Sequence, residues 1–97
     1  MSKIVLLATK QGCPFCDLMK PVFEDVVKEY SQVQGLRFGL YDVDSDDWEL
    51  GDKLGLEGTP ALAIIGDDAE TIYEVNNDGL VEREVIVSMI INNLNKE

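Results

Sequence analysis

Lys3-Ile4-Val5-Leu6-Leu7-Ala8-Thr9 runs into Lys10-Gln11-Gly12 and then into Cys13-Pro14-Phe15-Cys16. The first seven residues are almost wholly aliphatic or β-branched. They do not alternate with polar residues, so they read as a central strand buried on both faces. Lys10-Gln11-Gly12 has turn character. Pro14 suits a first helical position, where the missing amide donor would have had no partner. A buried strand therefore turns sharply into a helix, and two cysteines sit at the turn.

Beyond the turn, Phe15, Leu18, Met19, Val22, Phe23, Val26, Tyr30 and Val33 recur at three- and four-residue steps. They predict a helix over 13–33 with one stripe facing the core. Pro21 lies inside it and is expected to kink the axis. Gly35 closes the segment. Residues 36–43 alternate and read as a second strand. Asp44, Ser45 or Asp46 can cap a short helix reaching about Leu54, with Trp48, Leu50 and Leu54 inward. Residues 61–65 form a third strand, Gly66-Asp67-Asp68 a turn, and 70–75 a fourth strand paired antiparallel to the third. Asn76-Asn77-Asp78-Gly79 reads as a loop. A last helix over 81–94 turns Val85, Ile86, Met89, Ile90 and Leu94 inward, and 95–97 fray. The order is β-α-β-α-β-β-α. The helical crossover makes the first two strands parallel, which gives an α/β fold with a mixed four-stranded sheet flanked by helices.

The chain has 97 residues, 45% of them apolar, which suits one domain over 1–97 with one core. Nineteen acidic against eight basic residues leave a formal charge of −11. That balance disfavours nucleic acid and anionic membranes and favours partners with a basic rim. No stretch approaches the ~20 apolar residues of a membrane span, and the first apolar run is too short for a secretory signal. The expectation is a cytoplasmic protein. With no histidine and only two cysteines, Cys–His and Ser–His catalysis are excluded, most zinc sites are removed, and two thiolates alone cannot complete a four-ligand zinc centre. No metal is expected.

The C-x-x-C spacing at a strand-to-helix turn carries the chemistry. Free amides of the first helical turn and the helix dipole would both favour a thiolate at Cys13. Cys16 lies one turn on, close enough to close a disulfide, and is expected to be the more buried. Cys13 would attack a substrate disulfide to form a mixed disulfide. Cys16 would then attack the Cys13 sulfur and release the reduced substrate. The bland alternative is an inert pair, or half of a metal site shared between two chains.

On Cys13-Pro14-Phe15-Cys16, the in-helix Pro21, Tyr41-Asp42-Val43-Asp44 and Gly58-Thr59-Pro60 before a strand, the chain resembles thioredoxins and glutaredoxins over nearly its full length. The resemblance implies a thioredoxin fold, a cis peptide before Pro60, and a Gly58-Thr59-Pro60 loop lying against the Cys13 sulfur. Thr59 would pair with substrate backbone as an added strand. Gly12, Pro14 and Phe15 would form the active-site loop, and Asn76 and Asn77 would border the same groove.

Within that resemblance the features divide. Pro14-Phe15 looks glutaredoxin-like, and Lys10 matches a glutaredoxin lysine that meets the glutathione carboxylate. Asn76-Asn77 replaces the Gly-Gly pair used for glutathione, and residues 42–60 read more like thioredoxin. Gly12 stands where thioredoxins carry tryptophan, and Leu7 where they bury an aspartate that deprotonates the resolving thiol. Asp17 would oppose the helix effect, leaving the Cys13 thiol only moderately acidified. The expectation is a monomeric protein disulfide reductase with no bound cofactor. It would draw electrons from a thioredoxin-reductase-like flavoenzyme and serve electron transport and redox homeostasis. A glutathione-dependent reductase is the second reading, and a non-catalytic thioredoxin-fold binding module the third.

Overall fold

The computed structural model describes residues 2–42, 49–68 and 70–94, without the side chains of 49 and 50. The elements are β1 Lys3–Thr9, α1 Pro14–Tyr30, β2 Leu36–Asp42, α2 Glu49–Leu54, β3 Ala61–Gly66, β4 Ile72–Asn76 and α3 Arg83–Asn93. The sheet order is β2-β1-β3-β4. β1 pairs parallel with β2, running from Lys3 opposite Leu36 to Thr9 opposite Asp42. It pairs antiparallel with β3, and β3 with β4, the last pairing shifting register between Ile64 and Ile65.

The two-residue period of β1 explains its unbroken apolar run. Val5 and Leu7 face one layer, with Met19, Phe23 and Val26 of α1, Leu62 and Ile64 of β3, and Ile86, Met89 and Ile90 of α3. Ala8, with Ile4 and Leu6 packed beside it, faces the other, with Leu54, Leu56, Ala61, Ala63 and Ile65. Both faces are covered, so the middle of the strand is apolar on both, and the buried polar residues Lys3 and Thr9 stand at its ends. Arg83 ties the helices of the first layer together, its guanidinium bonding Asp25 at 2.7 Å and also Glu29.

Several boundaries and facings differ from the sequence expectations. α1 ends at Tyr30, with Ser31 as its C-cap, and it continues through Pro21. Its buried stripe is Cys16, Met19, Phe23 and Val26. Phe15 and Leu18 are 59% and 56% exposed instead. They share the helical spacing but lie on a neighbouring stripe rotated away from the sheet. β4 begins at Ile72, and Asn76 is its last residue, paired with Leu62, not part of the following loop. α3 begins at Arg83, after Glu82 as N-cap. Leu94 is its C-cap and faces outward, while the polar Asn93 is buried. Asn93 Nδ2 donates to the Met89 carbonyl at 2.7 Å and to Glu74 at 2.8 Å. Val43, the possible caps Asp44, Ser45 and Asp46, and Trp48 lie outside the described residues.

Candidate active site

Gly12 takes a φ of +71°, a left-handed conformation that side-chain-bearing residues rarely adopt, and so turns the chain from β1 into α1. Cys13 then occupies the N-cap with extended backbone, and Pro14 opens the helix. The Cys13 sulfur performs the capping: the Cys16 amide donates to Sγ at 3.1 Å. Asp17 N donates to the Cys13 carbonyl at 3.2 Å, the first bond of the helix.

Cys13 and Cys16 are joined as a disulfide, with Cα atoms 5.2 Å apart. Cys16 is fully buried and Cys13 half-buried. Of the two bonded sulfurs, only that of Cys13 therefore belongs to a residue open to solvent. This difference in exposure follows from where α1 lies on the sheet.

The opposite wall comes from the loop before β3. The Thr59–Pro60 peptide is cis, Pro60 is buried, and Thr59 is half-buried. Thr59 Oγ1 donates to Cys13 Sγ at 3.7 Å, and the Thr59 carbonyl oxygen lies 3.9 Å from the same sulfur. Two donors, one backbone and one hydroxyl, thus converge on the sulfur that would carry negative charge once the disulfide opens. Both favour thiolate over thiol.

The remaining candidates fall at different distances from this centre. Phe15 stands exposed on the first turn of α1, and Lys10 is exposed at the end of β1. Gly58 leads directly into Thr59, and a Cβ added there would meet nothing within 4 Å. Asn76 Oδ1 accepts from Asp78 N at 2.9 Å and shapes its own turn. Asn77 spans to the other loop: Glu57 N donates to its Oδ1, and its Nδ2 donates to the Gly55 carbonyl, both at 3.0 Å. Neither partner is signalled by the sequence. Asp17 is 75% exposed at its side chain and lies 3.9 Å from Lys20, so water screens its carboxylate.

Leu7 is completely buried, and among the described residues the buried polar side chains are Lys3, Thr9 and Asn93. No described carboxylate lies in the interior to take the Cys16 proton. No group of metal-binding side chains occurs among the described residues, and no described helix is long and apolar enough to cross a membrane. A cavity of about 480 Å³ between α1 and β2 is lined by Phe23, Val27, Phe38 and Leu40 among others and shares no residue with the cysteine site.

The family model of the thioredoxin-like domain matches residues 1–92. The chain belongs to the thioredoxin-like family. Solved thioredoxins share the architecture. A thioredoxin-2 described as a component of the malaria parasite protein secretion machinery superposes with a TM-score of 0.77 at 17% identity, covering 95% of this chain and 84% of its own. The germline-specific thioredoxin Deadhead of Drosophila melanogaster gives 0.75 at 16% identity, over 95% and 81%. A mutant thioredoxin from Halobacterium salinarum gives 0.74 at 20% identity, over 94% and 74%. No curated protein matches the chain by sequence. The thioredoxin-like domain and its C-x-x-C pair make this a thioredoxin-fold oxidoreductase.

Proposed function

We propose that the protein reduces disulfides of other proteins through the Cys13–Cys16 pair. The observation that carries this reading is the environment of the Cys13 sulfur. It is half-open to solvent, it receives the Cys16 amide and the Thr59 hydroxyl, and its partner sulfur is fully buried.

The Cys13 thiolate, having released its proton to water, attacks one sulfur of the substrate disulfide, and the other leaves as a thiolate that takes up a proton from water. Cys16, on losing its proton, attacks Cys13 Sγ and expels the second substrate thiolate, which takes up a proton. The substrate gains two electrons and two protons, and Cys13–Cys16 is left oxidised. A thioredoxin-reductase-like flavoenzyme returns the electrons, and no cofactor is held by the chain. The acidic surface favours substrates with a basic rim, and a monomer suffices for the cycle. A reducing cytoplasm suits a chain whose only cysteines are the reactive pair. Glutathione as the electron source is the second reading, favoured by the exposed Lys10. Against it, the Asn77 amide is already bonded to backbone at 55 and 57.

The test uses two variants. Cys13→Ser is expected to abolish reduction of a protein disulfide, and Cys16→Ser to accumulate a mixed disulfide visible on a non-reducing gel. Normal turnover by Cys13→Ser would remove the mechanism. In the wild type, turnover supported by NADPH and a flavin-dependent reductase but not by glutathione supports the first reading, and the reverse supports the second.

A further inference from the structure

We propose that Asn77 is a positioning residue that sets the substrate-pairing loop beside Cys13 without touching substrate itself. The inference rests on the reductase reading above and adds the residue that holds its substrate wall in place.

The loop from α2 to β3 has few fixed points. α2 ends at Leu54, Gly55 follows with a φ of +78°, and Leu56 N returns to the Gly51 carbonyl at 2.8 Å. The Leu56 side chain is buried. Beyond it, Glu57 and Gly58 are exposed, and Gly58 adds no side chain to hold the chain before Thr59.

The Asn77 carboxamide supplies the missing constraint. It accepts from Glu57 N and donates to the Gly55 carbonyl, so it flanks Leu56 on both sides. A residue on a parallel neighbouring strand makes this same pair of bonds, to the N–H after and the C=O before its partner. One side chain thus stands in for a strand across 20 residues of sequence. Its own base is firm, because Asn76, directly before it, is the last paired residue of β4. Asn76 and Asn77 therefore divide the work: Asn76 turns the chain, and Asn77 reaches across to the loop that carries Thr59. Glu57, where Asn77 holds the loop, is two residues from Thr59, whose hydroxyl and carbonyl lie 3.7 and 3.9 Å from the sulfur.

A protein substrate that pairs with Thr59 backbone needs this loop held in place, whereas a small disulfide needs only the Cys13 thiolate. The bonds are exposed, so losing both is expected to cost about fivefold in equilibrium terms. The experiment compares wild type with Asn77→Ala, using insulin as the protein disulfide and bis(2-hydroxyethyl) disulfide as the small one, with dithiothreitol as reductant. The expected result is an insulin KM raised about fivefold with kcat kept, the pattern of lost uniform binding, while small-disulfide reduction changes less than twofold. Asn77→Asp, which keeps the acceptor for Glu57 N but sets a carboxylate against the Gly55 carbonyl, is expected to behave like Asn77→Ala. Equal losses on both disulfides would make Asn77 merely structural and overturn the proposal, as would an unchanged insulin KM in either variant. A wild-type protein that reduces neither disulfide would overturn the reductase reading, and this inference with it.

Discussion

Replacing Thr59 by valine keeps the β-branched shape and removes the hydroxyl that donates to Cys13 Sγ at 3.7 Å. A hydrogen bond to an ionised group contributes about 1.5–3 kcal/mol in favourable geometry. The long contact to sulfur at a half-open site places this one lower, at roughly 1 kcal/mol, which is about a fivefold change in the thiolate-to-thiol ratio. The Cys16 amide, at 3.1 Å, is untouched by the substitution, so thiolate stabilisation is reduced but not abolished. The sign follows from which form is favoured. The hydroxyl stabilises the charged form, so its removal moves the thiol's titration to higher pH. Iodoacetamide alkylation of the reduced protein reads this directly, because buried Cys16 is shielded and only Cys13 reacts at an appreciable rate. Well below the wild-type midpoint, Thr59→Val is expected to react about fivefold more slowly. Above the variant's midpoint the two rates should converge. A superimposable pH profile, or one displaced to lower pH, would refute the idea that Thr59 helps to hold the thiolate.

Two further predictions concern the scaffold. The Asp68 carboxylate accepts from Glu70 N at 2.9 Å, and from Thr71 N and the Thr71 hydroxyl at 3.0 Å each, and these bonds hold its pKa below the ordinary aspartate value. Its contribution is present above the unfolded aspartate's pKa and is lost as pH falls through the lower folded one. Thermal melts should therefore show Asp68→Ala less stable than wild type at neutral pH, with the gap closing only in strong acid; a gap independent of pH would refute it. On α1, Leu18→Ser should change unfolding free energy by no more than about 0.5 kcal/mol, because Leu18 is exposed, whereas Met19→Ala should cost about 2–5 kcal/mol. Urea denaturation separates the two, and equal losses would mean that α1 is rotated from the position described.

The arrangement of Cys13 and Cys16 was legible in the sequence because its geometry is local. An unbroken apolar run before Gly12 fixes a doubly covered strand, and Cys13, Pro14 and Cys16 lie within one helical turn of each other. Backbone sterics and helix-end amides then leave little choice about which sulfur caps the helix. The alternating segments and their turns likewise set the element order. The nearness of the 58–60 loop to Cys13 was anticipated through the family resemblance, since no local pattern signals a contact across 46 residues. Helical spacing placed Phe15 and Leu18 in the same class as Met19 and Phe23, because periodicity marks apolar residues without saying which stripe the sheet covers. That choice, and the burial of Asn93 while Leu94 faces out, was settled only when α1 and α3 packed together on one face of the sheet. Asn77 was visible as a loop residue, but its partners at 55 and 57 were not. Hydrogen bonds between distant loops leave no periodic trace in sequence, and they exist only once β4 has paired with β3 and brought the two loops side by side.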